Sequence, residues 1–199
     1  MQYAGHYQGD NFSVQANMML NETVWGAMAK AYESNKDLPL AERVLATLEA
    51  AQAVGGDIRG KQSAALLVVD GKRAENAWED PRIDLRVDDN MEPLKELGRL
   101  LKVYRAYQHM NNGDLAVEKN DMTLAMKEYS AAEAMFPDNF EMKYWKAVTL
   151  ANNGDYKTAM PIFKAVFDHD SNWKKLTQRL PKVGLLNVDS SFYDQLMKL

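Results

Sequence analysis

A stretch near the carboxy-terminus of this chain recurs after 34 residues, and that recurrence restricts what the last third can fold into. Ala125 is matched by Ala159, Asp121 by Asp155, Met122 by Tyr156, Met126 by Met160, Tyr129 by Phe163 and Ala131 by Ala165. Gly113 is matched in the same way by Ala147, and Ala116 by Leu150. A period of about 34 residues with helically spaced apolar positions describes a helix–turn–helix unit that buries its apolar face only by stacking on a neighbour. Asn111-Asn112-Gly113-Asp114 taken alone looks like a helix stop. The repeat instead places Gly113 inside the first helix, at a slot reserved for a small residue, and this register is preferred because Ala147 fills the equivalent slot.

Helical patterning is plain from Met122 to Met135 and from Glu141 to Ala151, punctuated by Pro137 and by Gly154-Asp155. Phe167 closes the fourth repeat helix. Trp173 to Leu199 departs from the repeat and is expected to cap the open apolar end of the array. A period of this length is that of the tetratricopeptide repeat, so this part resembles a protein-interaction module with a surface for a peptide or protein partner. Tyr129, Tyr144, Trp145, Tyr156 and Phe163 are read mainly as the packing of that stack.

The first half has a different character. Phe12, Val14 and Ala16 alternate with polar residues and predict a short strand. Asn21 is placed to cap a helix carrying Val24, Trp25, Met28, Ala31 and Tyr32 on one face. Pro39 suits the first turn of a second helix with Leu40, Val44, Leu45, Leu48 and Ala51 as its stripe, ended by Gly55-Gly56. Ser63 to Asp70 is a continuous apolar run, the pattern of a strand covered on both faces. Asp70-Gly71 signals a turn, with Arg73 to Trp78 as a candidate returning strand. Ile83, Leu85 and Val87 alternate with charged residues and predict a half-buried strand. Pro93 then opens a long helix with Leu94, Leu97, Leu101 and Tyr104 on its core face. The chain is thus read as α+β over residues 1–90 and all-α over 91–199. A doubly covered strand needs neighbours that these few strands barely supply, which predicts that part of the sheet comes from a missing amino-terminal portion or from a second copy.

Composition narrows the function classes. Hydrophobic residues make up 46%, enough for a packed core. The formal net charge of −4 argues against nucleic acid as a partner, since phosphate binding needs a concentrated positive face. The basic cluster Lys174, Lys175, Arg179 and Lys182 is read as a solvated helix face. The chain has no cysteine, which removes disulfides, thiolate metal sites and a cysteine nucleophile. His6, His109 and His169 show no ligand spacing, so no metal or other cofactor is expected. No apolar run of about 18 residues is present, so no membrane span is expected. The first residues do not read as an export signal. The compartment stays open: a soluble protein, cytoplasmic, or exported if a signal precedes this segment.

Ala4-Gly5-His6, Phe12 to Met18, Pro39 to Arg43, Gly55 to Val69 and Ile83 to Asp89 resemble the carboxy-terminal half of the family known as domain of unknown function 1028. The long Gly55–Val69 segment is the most specific of these. The sequence departs from that family at Ala16, where glycine is usual, and at Asn90, where histidine is common. The resemblance implies a partial Ntn-hydrolase-like segment of an αββα fold. It also implies that the half bearing the amino-terminal nucleophile lies outside this chain, since Met1 and Gln2 cannot act as one.

Two groups stand out as candidate ligand-binding residues, and none as catalytic. Gly55-Gly56-Asp57, Arg59, Gln62 and Ser63 lie where a helix gives way to a strand. Arg59 could clamp a carboxylate with Gln62 and Ser63 orienting it, or Asp57 and Arg59 could simply pair to hold the turn. Asp84, Arg86, Asp88 and Asp89 form the second group: Asp84, Arg86 and Asp88 share one strand face and could bind a cation or a cationic ligand, or could form a polar outer face with an internal ion-pair ladder, and Asp88-Asp89 could also assist the start of the following helix. Asn17 could point into a pocket or end a strand. Ser63 lacks the strand–elbow–helix context of a hydrolase nucleophile. The reading preferred here is an assembly or protein-interaction module, forming a homo-oligomer. The alternatives are part of an Ntn-type amide-bond hydrolase, or a small-ligand-binding domain.

Overall fold

The structure, a computed structural model, describes residues 3–72, 75–76 and 82–199. It divides into two compact units, Met1–Val103 and Tyr104–Leu199. The fold is mixed helix and strand, with small two-stranded sheets, as an α+β reading requires.

In the first unit β1 (Gly5–Gln8) and β2 (Ser13–Ala16) form an antiparallel pair. β1 went unforeseen: its Gly-His-Tyr-Gln sequence has no alternation to announce it. Next come α1 (Val24–Ser34) and α2 (Leu40–Ala53), which pack on each other. Phe12, in the β1–β2 turn, lies 4.4 Å from the Tyr32 ring, and Arg43 covers Tyr32 at 3.6 Å while donating its Nε–H to the Tyr32 carbonyl at 2.6 Å. One aromatic thus joins the turn to both helices. Asn21 does not cap α1 directly. Its Oδ1 accepts from the Thr23 N–H (2.9 Å), and its Nδ2 donates to the Val54 carbonyl (2.7 Å), tying the start of α1 to the end of α2. Leu40, expected in the apolar stripe, is half exposed because it is the first residue of its helix.

β3 (Ala64–Val68) pairs directly with β4 (Ile83–Val87) in antiparallel register, Leu66 opposite Leu85. The candidate returning strand from Arg73 to Trp78 falls largely outside the described residues. The register sorts the side chains into two faces. Ala64, Leu66 and Val68 share the inward face with Ile83, Leu85 and Val87, and Leu66, Ile83 and Val87 are buried. The opposite face is open: Leu67 is 57% exposed and Val69 55%. The expectation that this run is covered on both faces is therefore corrected. α2 packs against β3, and the described chain supplies no comparable cover for Leu67 and Val69.

α3 (Pro93–Glu118) starts in the first unit, where Leu97 and Leu101 are buried, and runs on into the second through the Asn111–Asp114 stretch without a break. The second unit adds α4 (Met122–Met135), α5 (Phe140–Asn152) and α6 (Tyr156–His169). Asp121 and Asp155, 34 residues apart, do the same work. Each carboxylate accepts the N–H three residues on, capping α4 at Leu124 (3.0 Å) and α6 at Thr158 (3.1 Å). Ala125 and Ala159 are fully buried, as are Tyr129 and Phe163 within a percent. The tail folds as α7 (Asn172–Thr177), a short 3-10 turn (Leu180–Val183) and α8 (Ser190–Leu196). Leu180, Leu186, Phe192 and Leu196 join the core of α5 and α6. Inside that core the Tyr144 hydroxyl lies 2.9 Å from Thr177 Oγ1, satisfying two buried polar groups at once. Among the described residues no helix is long and apolar enough to cross a membrane.

Two glycines give opposite predictions. A Cβ on buried Gly113 would stand 2.5 Å from the Tyr129 ring, so Gly113→Ala is expected to destabilise the second unit by about 1–3 kcal/mol through overpacking. A Cβ on Gly26, in the exposed face of α1, meets nothing within 4 Å, so Gly26→Ala is expected to stabilise by about 0.5–1 kcal/mol. Denaturant unfolding of both variants beside the parent protein measures the two signs.

Candidate functional site

The local chain geometry around Gly55-Gly56 builds a concave surface within the first unit. Gly55 and Gly56 have φ of 119° and 62°, a conformation that glycine adopts without steric penalty. They turn the chain out of α2 and lay Gly56–Ile58 alongside Met18–Leu20. There the Leu20 N–H donates to the Gly56 carbonyl (2.9 Å) and the Ile58 N–H to the Met18 carbonyl (2.9 Å). The packing is close: a Cβ at Gly55 would lie 2.6 Å from Leu20 Cδ2, and one at Gly56 would lie 3.0 Å from Gln52 Nε2.

Beside this turn opens a cleft of about 690 Å3, within the range of small-molecule sites, roughly 300–1,000 Å3. Val24, Met28, Leu48 and Ala51 from α1 and α2 give it apolar lining, and Asn17, Asp57, Arg59, Gln62 and Ser63 line it with polar groups. Five of the eight sequence-derived candidates therefore meet at one surface. Asp84, Arg86 and Asp88 do not line it. Asp84 and Arg86 stand on the open face of β3–β4, paired to each other (Arg86 Nε to Asp84 Oδ1, 2.8 Å), and Asp88 lies exposed just beyond β4. The three-residue ladder is thus one ion pair within a strand.

Arg59 is committed to the turn. Its backbone N–H donates to Asp57 Oδ1 (2.8 Å), its Nε–H to the same oxygen (3.0 Å) and its Nη2 to Oδ2 (2.6 Å). These hydrogen bonds, led by those from the Arg59 side chain and backbone, lower the Asp57 carboxyl to a pKa of about 2. A ligand carboxylate would have to displace Asp57 from the guanidinium, so of the two readings of this motif the paired turn describes the geometry. Lys61, also lining the cleft, is held by Glu92 at 2.6 Å.

Gln52 and Lys61 line the cleft without having been singled out, Asp89 of the second candidate group lines it too, and Asn90 supports it. The Asn90 N–H donates to the Gln62 carbonyl (2.9 Å), while its Oδ1 accepts from the Glu92 N–H (2.8 Å). Asn90 thereby fixes the strand entry at Gln62 to the start of α3. Only Gln52 carried a readable signal: a polar side chain on the apolar stripe of α2, next to Leu48 and Ala51 in helical spacing.

Residues 1–97 match the family described as Family of unknown function (DUF1028), a stretch just under half the length of the chain. The match contains the whole cleft lining and both strand pairs. No curated protein and no solved structure matches the chain.

The Asp57–Arg59 pair makes a pH prediction. The folded pKa, about 2, lies below the unfolded carboxyl value of about 3.9, so the pair stabilises the turn above about pH 4 and that contribution is lost as pH falls through about 2. Carboxyl-detected NMR titration is expected to find Asp57 with a low midpoint in the parent protein and near 4 in Arg59→Ala. An unmoved midpoint would show that Arg59 does not hold the carboxylate.

Proposed function

We propose that this chain is an assembly module whose first unit buries the outward face of β3–β4 against another polypeptide. The observation that carries this reading is the exposure of Leu67 and Val69 on a two-stranded sheet whose other face is packed. An isolated two-stranded sheet is marginal in water, and large apolar side chains left exposed on its open face mark a site for association. Helices on one face and an open face on the other also support a partial Ntn-hydrolase-like αββα arrangement, in which a second sheet would supply the cover. α4 and α6 start 34 residues apart with matching caps and matching buried alanines, which supports a tetratricopeptide-like stack in the second unit. Such a stack offers a surface to a peptide or protein partner.

A second reading rests on the cleft. Its volume, apolar lining and five convergent polar residues support a small-ligand site in the first unit, with the Asp57–Arg59 pair as part of its wall.

Sedimentation velocity tests the assembly reading. The parent protein is expected to form a species larger than a monomer at micromolar concentration, and the variant carrying Leu67→Lys and Val69→Lys is expected to sediment as a monomer with unchanged circular dichroism. A monomeric parent, or an assembly indifferent to both lysines, overturns it.

A further inference from the structure

The open face of β3–β4 has a symmetry of its own. Along β4 and one residue past each of its ends, the even-numbered positions follow the order Arg82, Asp84, Arg86, Asp88, alternating in sign about Leu85. Reversing that order end to end and inverting every sign returns the same pattern. Across the sheet, Ala65 lies opposite Arg86 and Leu67 opposite Asp84, with the Leu66–Leu85 pair between them on the inward face. The outward residues of β3 are Ala65 and Leu67, one small and one large, with exposed Val69 just past the strand end. All of these side chains are exposed: Arg86 has 62% of its side chain in solvent and Asp84 38%.

We propose that the occupant of this face is a second copy of the chain, docked face to face about a twofold axis that crosses the strands at the level of Leu66 and Leu85. This rests on the assembly reading above and specifies its partner. A twofold interface requires a patch to complement itself. An axis lying between the sheets and across the strands stacks β4 on the partner's β4 with its direction reversed. Arg86 then faces the partner's Asp84, Asp84 the partner's Arg86, and Arg82 the partner's Asp88. On β3 the same operation sets Leu67 over the partner's Ala65, large on small, as interdigitating sheets need at a spacing of about 10 Å. One operation satisfies the charges and the volumes together. An acidic or basic partner would leave two like charges of this face opposed, and a purely apolar one would strand all four. The Asp84–Arg86 and Arg82–Asp70 pairs already present within one chain hold the side chains in place, and the second copy extends them into a network.

Charge reversal tests the arrangement. Arg86→Asp makes the central pair of positions wholly acidic, and Asp84→Arg makes it wholly basic. In a twofold dimer each opposes like charges at two symmetry-related contacts, so each variant alone is expected to self-associate at least about tenfold more weakly than the parent. An equimolar mixture of the two sets acid on base and is expected to recover association as a heterodimer, seen by sedimentation or by native mass spectrometry. Unchanged circular dichroism of each single variant confirms the fold. A dimer that withstands both reversals, or single variants that do not recover on mixing, overturns the twofold. If such a dimer is still dissolved by Leu67→Lys and Val69→Lys, the face is an interface and only this geometry is wrong. If the lysines leave it intact, the assembly reading falls as well.

Discussion

The register of β3 against β4 is the constraint on which the first unit depends. Leu66 opposite Leu85 places three apolar residues of each strand on one face and leaves Leu67 with Asp84 on the other. Side chains alternate with a period of two, so a slip of one residue would turn Asp84 and Arg86 toward the helices and expose Ile83 and Val87. Burying that charge pair without further partners would cost several kcal/mol by effective estimates, far more than an exposed leucine forfeits. β4 therefore tolerates one orientation only. β3 has no such preference, because Ala64 to Val69 is apolar throughout, and it takes its orientation from its partner strand.

The cleft depends on a second local device. Two successive positive-φ glycines reverse the chain after α2, and a carboxylate–guanidinium pair two residues apart holds the following loop. The cations of the lining are thus satisfied from within: Arg59 by Asp57 and Lys61 by Glu92. What the lining presents to a visitor is apolar surface, neutral polar side chains and the Asp89 carboxylate rather than an uncompensated positive charge.

Much of this was legible in the residues, for identifiable reasons. β2, β4 and the helices α1, α2, α4, α5 and α6 carry periodicities of two or of 3.6 that outlast their boundaries. The paired Asp121 and Asp155 mark equivalent helix starts because a cap is a local requirement. The Gly55–Ser63 turn was legible because glycine pairs signal unusual backbone. The covering of β3 was not, since an apolar run records only that both faces tolerate burial, and the cover on a face comes from distant residues or from another molecule. Asp84, Arg86 and Asp88 were seen to share a face, while nothing in their spacing told that the cleft would form elsewhere. Lys61 and Asn90 escaped because folding alone brings them beside Gln62 and α2. The continuation of α3 through Asn111–Asp114 shows a turn-like string overruled by packing, with Gly113 kept bare so that Tyr129 can lie against it.

The end of the helical stack carries a consequence for how it can grow. Asn152, in the last turn of α5, accepts the Asn187 N–H (2.7 Å) and donates to the Leu185 carbonyl (3.0 Å), while the Tyr156 hydroxyl accepts the Asp189 N–H (3.1 Å) and its ring stacks on Phe192 at 4.1 Å. The residues that would greet a further helix pair are already spoken for, by main-chain groups as well as by rings. Lengthening the stack by duplication therefore requires splicing new units in ahead of Trp173. A copy appended after Leu199 would find a finished surface and would hang as a separate bead.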